Sequence, residues 1–270
     1  MARALITDCG AVAIAAGPTL TAVPAGAGST FTVRNAPLSS NVWLVDMWSK
    51  SAAVGQARIT SPNLVPVANG IRIQIPTGLA DFLLPRSQQQ PLVPQDILVV
   101  SALGTAANTN GVAVQSYYEN LGPNGMNLVS PGDVNGNCQF IFGWPVAATA
   151  AAAAGNQGET NITTTCDSSD ANRWYAVLGY QCDVSVLAVG IAGTDTSQLF
   201  AGGPGDTAGF RTNGYFQDLY GDLGQPCIPC FNAANKGSTN VVVVDNAANT
   251  AVNVTLILAQ MNSTWNPPQS

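Results

Sequence analysis

The feature that most restricts the fold of this chain is a repeat within it. The tetrapeptide Ala106-Ala-Asn-Thr109 recurs as Ala247-Ala-Asn-Thr250. In each copy it joins an apolar run (Ile97 to Val100; Val241 to Val244) to an alternating one (Val112 to Tyr118; Val252 to Leu258). Upstream, Trp43-Leu-Val-Asp-Met-Trp48 and Ile59 lie over Trp174-Tyr-Ala-Val-Leu-Gly-Tyr180 and Ile191 at an offset of 132, which sets Trp48 against Tyr180. Pro91-Leu-Val-Pro94 lies over Pro226-Cys-Ile-Pro229, and the offset drifts only from 132 to 141 across the comparison. Collinear matches in matching contexts point to a duplicated unit.

The unit is built of strands. Phe31 to Val33, Ile71 to Ile75 and Val184 to Val189 alternate like the runs above, and an apolar residue at every second position marks a strand with one buried face. The continuous runs Ile97 to Val100 and Val241 to Val244 fit strands buried on both faces. Turn residues separate these runs at Ala25 to Gly28, Asn108 to Gly111, Gly202 to Gly205 and Asp245-Asn246. Helix is confined to a turn or two at Leu79 to Leu84, at Gly214 to Tyr220 and in the Ala run after Val146. The expected class is all-β: two tandem eight-stranded jelly-roll (Greek-key) sandwiches related by internal duplication, one over residues 1–130 and the other over 131–270.

Composition then narrows the function. Charged residues make up 9% of the 270, against about a quarter in an ordinary domain, while 46% are hydrophobic. Disordered chains combine low hydrophobicity with high net charge, and this chain does not. It has no run of Lys or Arg, so direct binding to nucleic acid is not expected. Weak mutual repulsion suits a protein that packs against copies of itself. Residues 1–135 carry six basic and six acidic groups; residues 136–270 carry three and nine, so the net charge of −6 belongs to the second half. That asymmetry suggests different surroundings for the two halves. Asp8 and Cys9 interrupt the apolar start, which makes it a poor signal peptide, and no apolar run approaches the roughly 20 residues of a membrane span.

The search for chemistry returns no catalytic, cofactor-binding or metal-binding residue. Without His, the Ser-His-Asp and Cys-His arrangements and the commoner zinc sites cannot be built. The six cysteines are expected to be reduced. Cys227-Ile-Pro-Cys230 has redox spacing but lacks the helix that a redox motif needs, so the pair reads as loop thiols, with a disulfide as the alternative. Asp133 to Asn137 resembles a calcium loop, but Trp144 stands where the bidentate Glu belongs, and a turn is the expectation. Gly202-Gly-Pro-Gly205 lacks the Lys of a phosphate loop. Asp218 and Asp222 read as a solvated acidic turn, and Trp43, Trp48 and Trp174 as core aromatics.

Two tandem sandwiches with short turns, few charges and no basic arm resemble the double jelly-roll major capsid proteins of tailless icosahedral viruses with an internal membrane. That family is phage-like and belongs to the adenovirus-hexon lineage. The resemblance is architectural, covers nearly the whole chain and rests on no short motif. It implies a structural coat protein, not an enzyme and without a cofactor, made in the host cytoplasm and located in the capsid shell of the virion. Its partners would be itself, as a homotrimer of pseudo-hexagonal outline and in neighbouring capsomers, together with minor capsid or vertex proteins and an internal membrane. No sequence-specific contact with nucleic acid is implied. The alternative is a carbohydrate-binding or adhesive β-sandwich protein of a spike or cell surface.

Overall fold

A computed structural model describes residues 2–28, 30–64, 70–80, 90–162, 172–207 and 212–268. Strands dominate it. The first half contains β1 (Ala4–Ile14), β2 (Gly17–Ala22), β3 (Phe31–Thr32), β4 (Val42–Ser51), β5 (Gly55–Thr60), β6 (Ile71–Ile75), β7 (Gly78–Ala80), β8 (Gln90–Pro91), β9 (Ile97–Gly104) and β10 (Asn108–Tyr118). The rest contains β11 (Leu128–Val129), α1 (Pro131–Asn137), β12 (Cys138–Thr149), β13 (Gln157–Asn161), β14 (Trp174–Cys182), β15 (Val186–Gly193) and β16 (Ala201–Gly205). It ends with α2 (Tyr215–Leu223), β17 (Ile228–Asn232), β18 (Thr239–Val244) and β19 (Ala251–Met261).

These strands form four antiparallel sheets, two in each half, and the order is the same in both. In the first half one sheet runs β1-β10-β4-β7 and the other β2-β9-β5-β6, with the short β8 and β3 added on β4 and β9. In the second half the sheets run β12-β19-β14-β17-β11 and β13-β18-β15-β16. β11 falls before residue 130 yet pairs with β17. The two Ala-Ala-Asn-Thr segments join β9 to β10 and β18 to β19: Ala247 to Thr250 lies wholly between its strands, whereas Asn108 to Gly111, expected as a turn, begins β10 and pairs with β1.

Register repeats too. Ile59 faces Val100 across β5 and β9, and Ile191 faces Val241 across β15 and β18, which are the offsets of 132 and 141 read from the sequence. β4 and β14 each carry a one-residue bulge against the last strand of their half, at Val45 and Leu178. These positions are 133 apart, so Tyr180 is the counterpart of Met47 and not of Trp48. A bulge leaves no mark on apolar alternation, and a slip of one residue moves a side chain to the other face. Met47 and Tyr180 both enter core packing, opposite Val114 and Leu256 respectively.

The sheets stack as four layers, and an inner position buries both faces of a strand; in the outer sheets β14 and β17 are also buried almost throughout, where α2 packs on them. β4, β10, β15 and β18 belong to inner sheets and are buried on both faces; in β18, Val241 and Val243 join the main core while Val242 and Val244 meet the first half. β9 belongs to an outer sheet, and here the expectation fails: Ile97 and Val99 are exposed while Leu98 and Val100 are buried. Four consecutive apolar residues do not distinguish a two-faced strand from a one-faced strand that carries apolar side chains outward.

Between the inner sheets, Cys9, Trp48 and Ala113 pack with Leu187, Phe200, Val242 and Val244. Trp48 Nε1 donates to the Leu187 carbonyl at 2.6 Å, and Gln115 Nε2 to that of Gly202 at 2.6 Å. Lys50 Nζ donates to the Ser185 carbonyl and pairs with Asp245, both at 2.7 Å. Asn246 Nδ2 reaches the carbonyls of Lys50 and Thr109, which brings the β18–β19 turn beside the β9–β10 turn. At the other end, Met126 N–H donates to the Arg3 carbonyl and Ser197 Oγ to that of Gly125. The two halves therefore stand side by side and point the same way.

Two outcomes test this packing. Val114→Asp or Val254→Asp, at residues 3% and 0% exposed, should each destabilise by several kcal/mol in denaturant titrations, because each buries an unpaired charge. Lys50→Met should cost about 3 kcal/mol by leaving the 1%-exposed Asp245 carboxylate unpaired, at the low end for a buried pair because Lys50 is itself 21% exposed.

Candidate functional site

The candidate chemical groups of the sequence lie apart from one another. Asp133 is spent locally: Ser130 Oγ caps the Asp133 N–H at 3.2 Å, and the Ser130 N–H donates back to Asp133 Oδ2 at 2.9 Å. The expected turn is therefore the short helix α1. Its signature was present in the sequence as Ser130-Pro-Gly-Asp133, a capping residue with Pro at the first helical position. Gly202 to Gly205, expected as a turn, is most of strand β16. A Cβ on Gly202 would lie 2.4 Å from the Phe200 ring and one on Gly203 2.4 Å from the Tyr215 ring, so the missing side chains let aromatic rings close on the strand.

Cys227 and Cys230 are also placed differently from the expectation. Both are fully buried in core packing; Cys227 lies in the connection before β17, as expected of a loop residue, whereas Cys230 lies within β17. Cys227 Sγ lies 3.1 Å from the Phe216 carbonyl, and Cys230 Sγ 3.3 Å from that of Asn127. An odd separation along an extended chain sends the two thiols to opposite sides. Burial pushes the Cys230 thiol well above its ordinary range, which keeps it protonated. Cys9, Cys138 and Cys182 are free thiols as well, and Cys166 lies outside the described residues. Among the described residues no three Cys, Asp or Glu groups gather to hold a metal ion.

Asp218 and Asp222 are exposed, one helical turn apart on α2. With exposed Asp183 and half-buried Asp206 they lie in the connections at the end where the β9–β10 and β18–β19 turns stand. Trp48 is a core residue as expected, but it faces the other half. Trp174 is only half-buried. It meets Trp265 edge-on at the opposite end, where Phe140 and Leu38 are also exposed.

A cleft of about 1040 Å³ opens between the halves. Asp8 and Cys9 of β1 line one wall, with Arg34 and Gln95 nearby; Asn156, Ser197 and Leu199 come from the second half. Burial raises the Asp8 carboxyl above the usual carboxylate range, and the positive charge of Arg34 opposes that shift without cancelling it. Asp195, beside Ser197, is also raised by burial, although it accepts hydrogen bonds from the Asn232 N–H at 2.9 Å and from the side chains of Asn127 and Asn235. The alternation that marked the strands carried no information about this cleft, because its walls come from segments brought together only by the stacking of the halves.

No protein-family model matches the chain, and no curated protein matches it. Among solved structures it is similar to the PBSX exported protein XepA, with 10% identity over 92% of this chain and 86% of that one, at a TM-score of 0.22. A likeness of that size bears on neither fold nor function.

The Asp8 carboxyl gives a pH test. Its folded-state value is raised, so its contribution to stability is full below about pH 4, where the unfolded chain also holds the proton, and is lost as pH rises through the folded value. Asp8→Asn should leave the protein more stable than wild type at pH 7, with the two melting curves converging below about pH 4.

Proposed function

We propose that this chain is a double jelly-roll coat protein that assembles through trimeric capsomers into an icosahedral shell. The observation that carries the reading is that strand order and register recur between the halves. Leaving aside the two-residue strands β3, β8 and β11 and taking the remaining eight of each half in chain order, one sheet runs first, eighth, third, sixth and the other second, seventh, fourth, fifth. That order supports a Greek-key jelly-roll reading of each half. Bulges at matching places in β4 and β14 support descent of both halves from one duplicated unit, since bulges persist within families.

Geometry gives the duplication a use. Two sandwiches standing parallel in one chain become six in a ring when three copies close around a threefold axis, and six similar columns tile a flat facet. The inner sheets are consumed within the chain, which leaves the outer sheets and edges for neighbouring capsomers. The carboxylates at the turn end suit the exterior. Trp174, Trp265, Phe140 and Leu38 at the opposite end suit the boundary of an internal membrane, where aromatic side chains are enriched. On this reading the protein is not an enzyme, takes no cofactor and resides in the virion, with minor capsid or vertex proteins as further partners.

Assembly tests the proposal. Obligate interfaces bury about 2,000 Å² or more in total, enough to survive dilution. Size exclusion with light scattering should report three times the chain mass of 27.7 kDa, or larger shells, over a wide concentration range. A stable monomer at micromolar concentration would refute it and favour a surface-binding module.

A further inference from the structure

We infer that the cleft between the two halves binds a small zwitterion, an amino acid or a peptide of two or three residues with free termini, its ammonium group on Asp8 and its carboxylate on Arg34. The inference is independent of the coat-protein reading.

It starts from two charges that lack partners. Asp8 is half-buried on β1, and Arg34 is exposed just beyond β3; both line the cleft. Neither charged group makes a hydrogen bond or ion pair with another described residue, although each lies in the field of the other. A partly desolvated carboxylate without donors is costly, and an incoming ammonium group relieves that cost. A guanidinium offers a fork of donors that fits a carboxylate in two-point contact. One molecule with both ends satisfies both groups.

The remaining walls set the kind of zwitterion. Thr30, Asn35, Gln95, Asn156 and Ser197 present hydroxyls and amides, which can both donate to and accept from peptide groups. Among the described residues no aromatic ring lines the cleft to offer the stacking platform typical of a sugar site. A volume of about 1040 Å³ exceeds what a single amino acid fills and is at the upper end of small-ligand sites. The backbone is also held out of its relaxed range here: Gln95 and Ser197 have φ of 67° and 53°. Non-glycine residues held in that region cluster at ligand sites.

The tripeptide Gly-Ser-Gly is a suitable probe, compared with the same sequence acetylated and amidated so that both charges are gone. Calorimetric titration should show the free tripeptide binding at least about tenfold more tightly than the capped one, a difference of about 1.4 kcal/mol. Asp8→Asn and Arg34→Gln should each remove that preference, with circular dichroism confirming that both variants remain folded. Acetylating only the N-terminus should cost nothing further in Asp8→Asn, because the ammonium would already have lost its partner. Equal binding of the free and capped peptides, an undiminished preference in either variant, or no heat at millimolar peptide would each overturn the inference.

Discussion

The contact on which the rest of the molecule depends is the closure of the two inner sheets on each other through Trp48. The indole lies fully buried between the halves, its Nε1 donating to the Leu187 carbonyl and its ring packed with Ala113 and Val242. A side chain of that size contributes by area, and its one polar atom must find an acceptor once water has gone. Around it the polar groups are paired in the same way: Gln115 to Gly202, and Lys50 to Asp245 and Ser185. Each pairing joins one half to the other, so the interface has the character of a domain interior and not of a transient contact.

The glycines of β15 and β16 answer to packing within the second half, between neighbouring strands and against aromatic rings. A Cβ on Gly190 would lie 1.9 Å from the Ala201 carbonyl oxygen, so the strands could not approach as they do with any larger residue. β16 is an edge strand, and there Pro204 is tolerated because its missing N–H leaves no partner stranded. A Gly-Gly-Pro-Gly sequence, which taken alone signals a turn, thus serves as a strand pressed against β1 and Tyr215. The tertiary requirement for close approach overrides the local preference.

The chain separates the groups that chemistry would need to combine. The Cys227 and Cys230 thiols meet different backbone carbonyls, of Phe216 and Asn127, Asp133 caps a helix, and Asp218 and Asp222 face solvent. Asp8 and Arg34 both line the cleft, and the charge of Arg34 acts on the Asp8 carboxyl without an ion pair between them.

Alternation was enough to specify strands at β6 and β19, because a one-faced strand imprints its period of two directly on the residues. The repeat of Ala-Ala-Asn-Thr likewise marked equivalent connections, from β9 to β10 and from β18 to β19, although Asn108 and Thr109 pair as strand while Asn249 and Thr250 remain in the turn. The sequence by itself therefore determined the all-β class and the recurrence of elements. Tertiary structure alone decided which strands lie inside. Val241 to Val244 and Ile97 to Val100 look alike as sequence and end up in an inner and an outer layer, because burial of the second face depends on what the other half brings against it. It also decided the bulges at Val45 and Leu178, which shift the pairing by one residue, and the cleft at Asp8, whose walls are far apart in the chain. A side chain's alternation reports only its own strand, while layer, bulge and cleft are properties of two segments meeting.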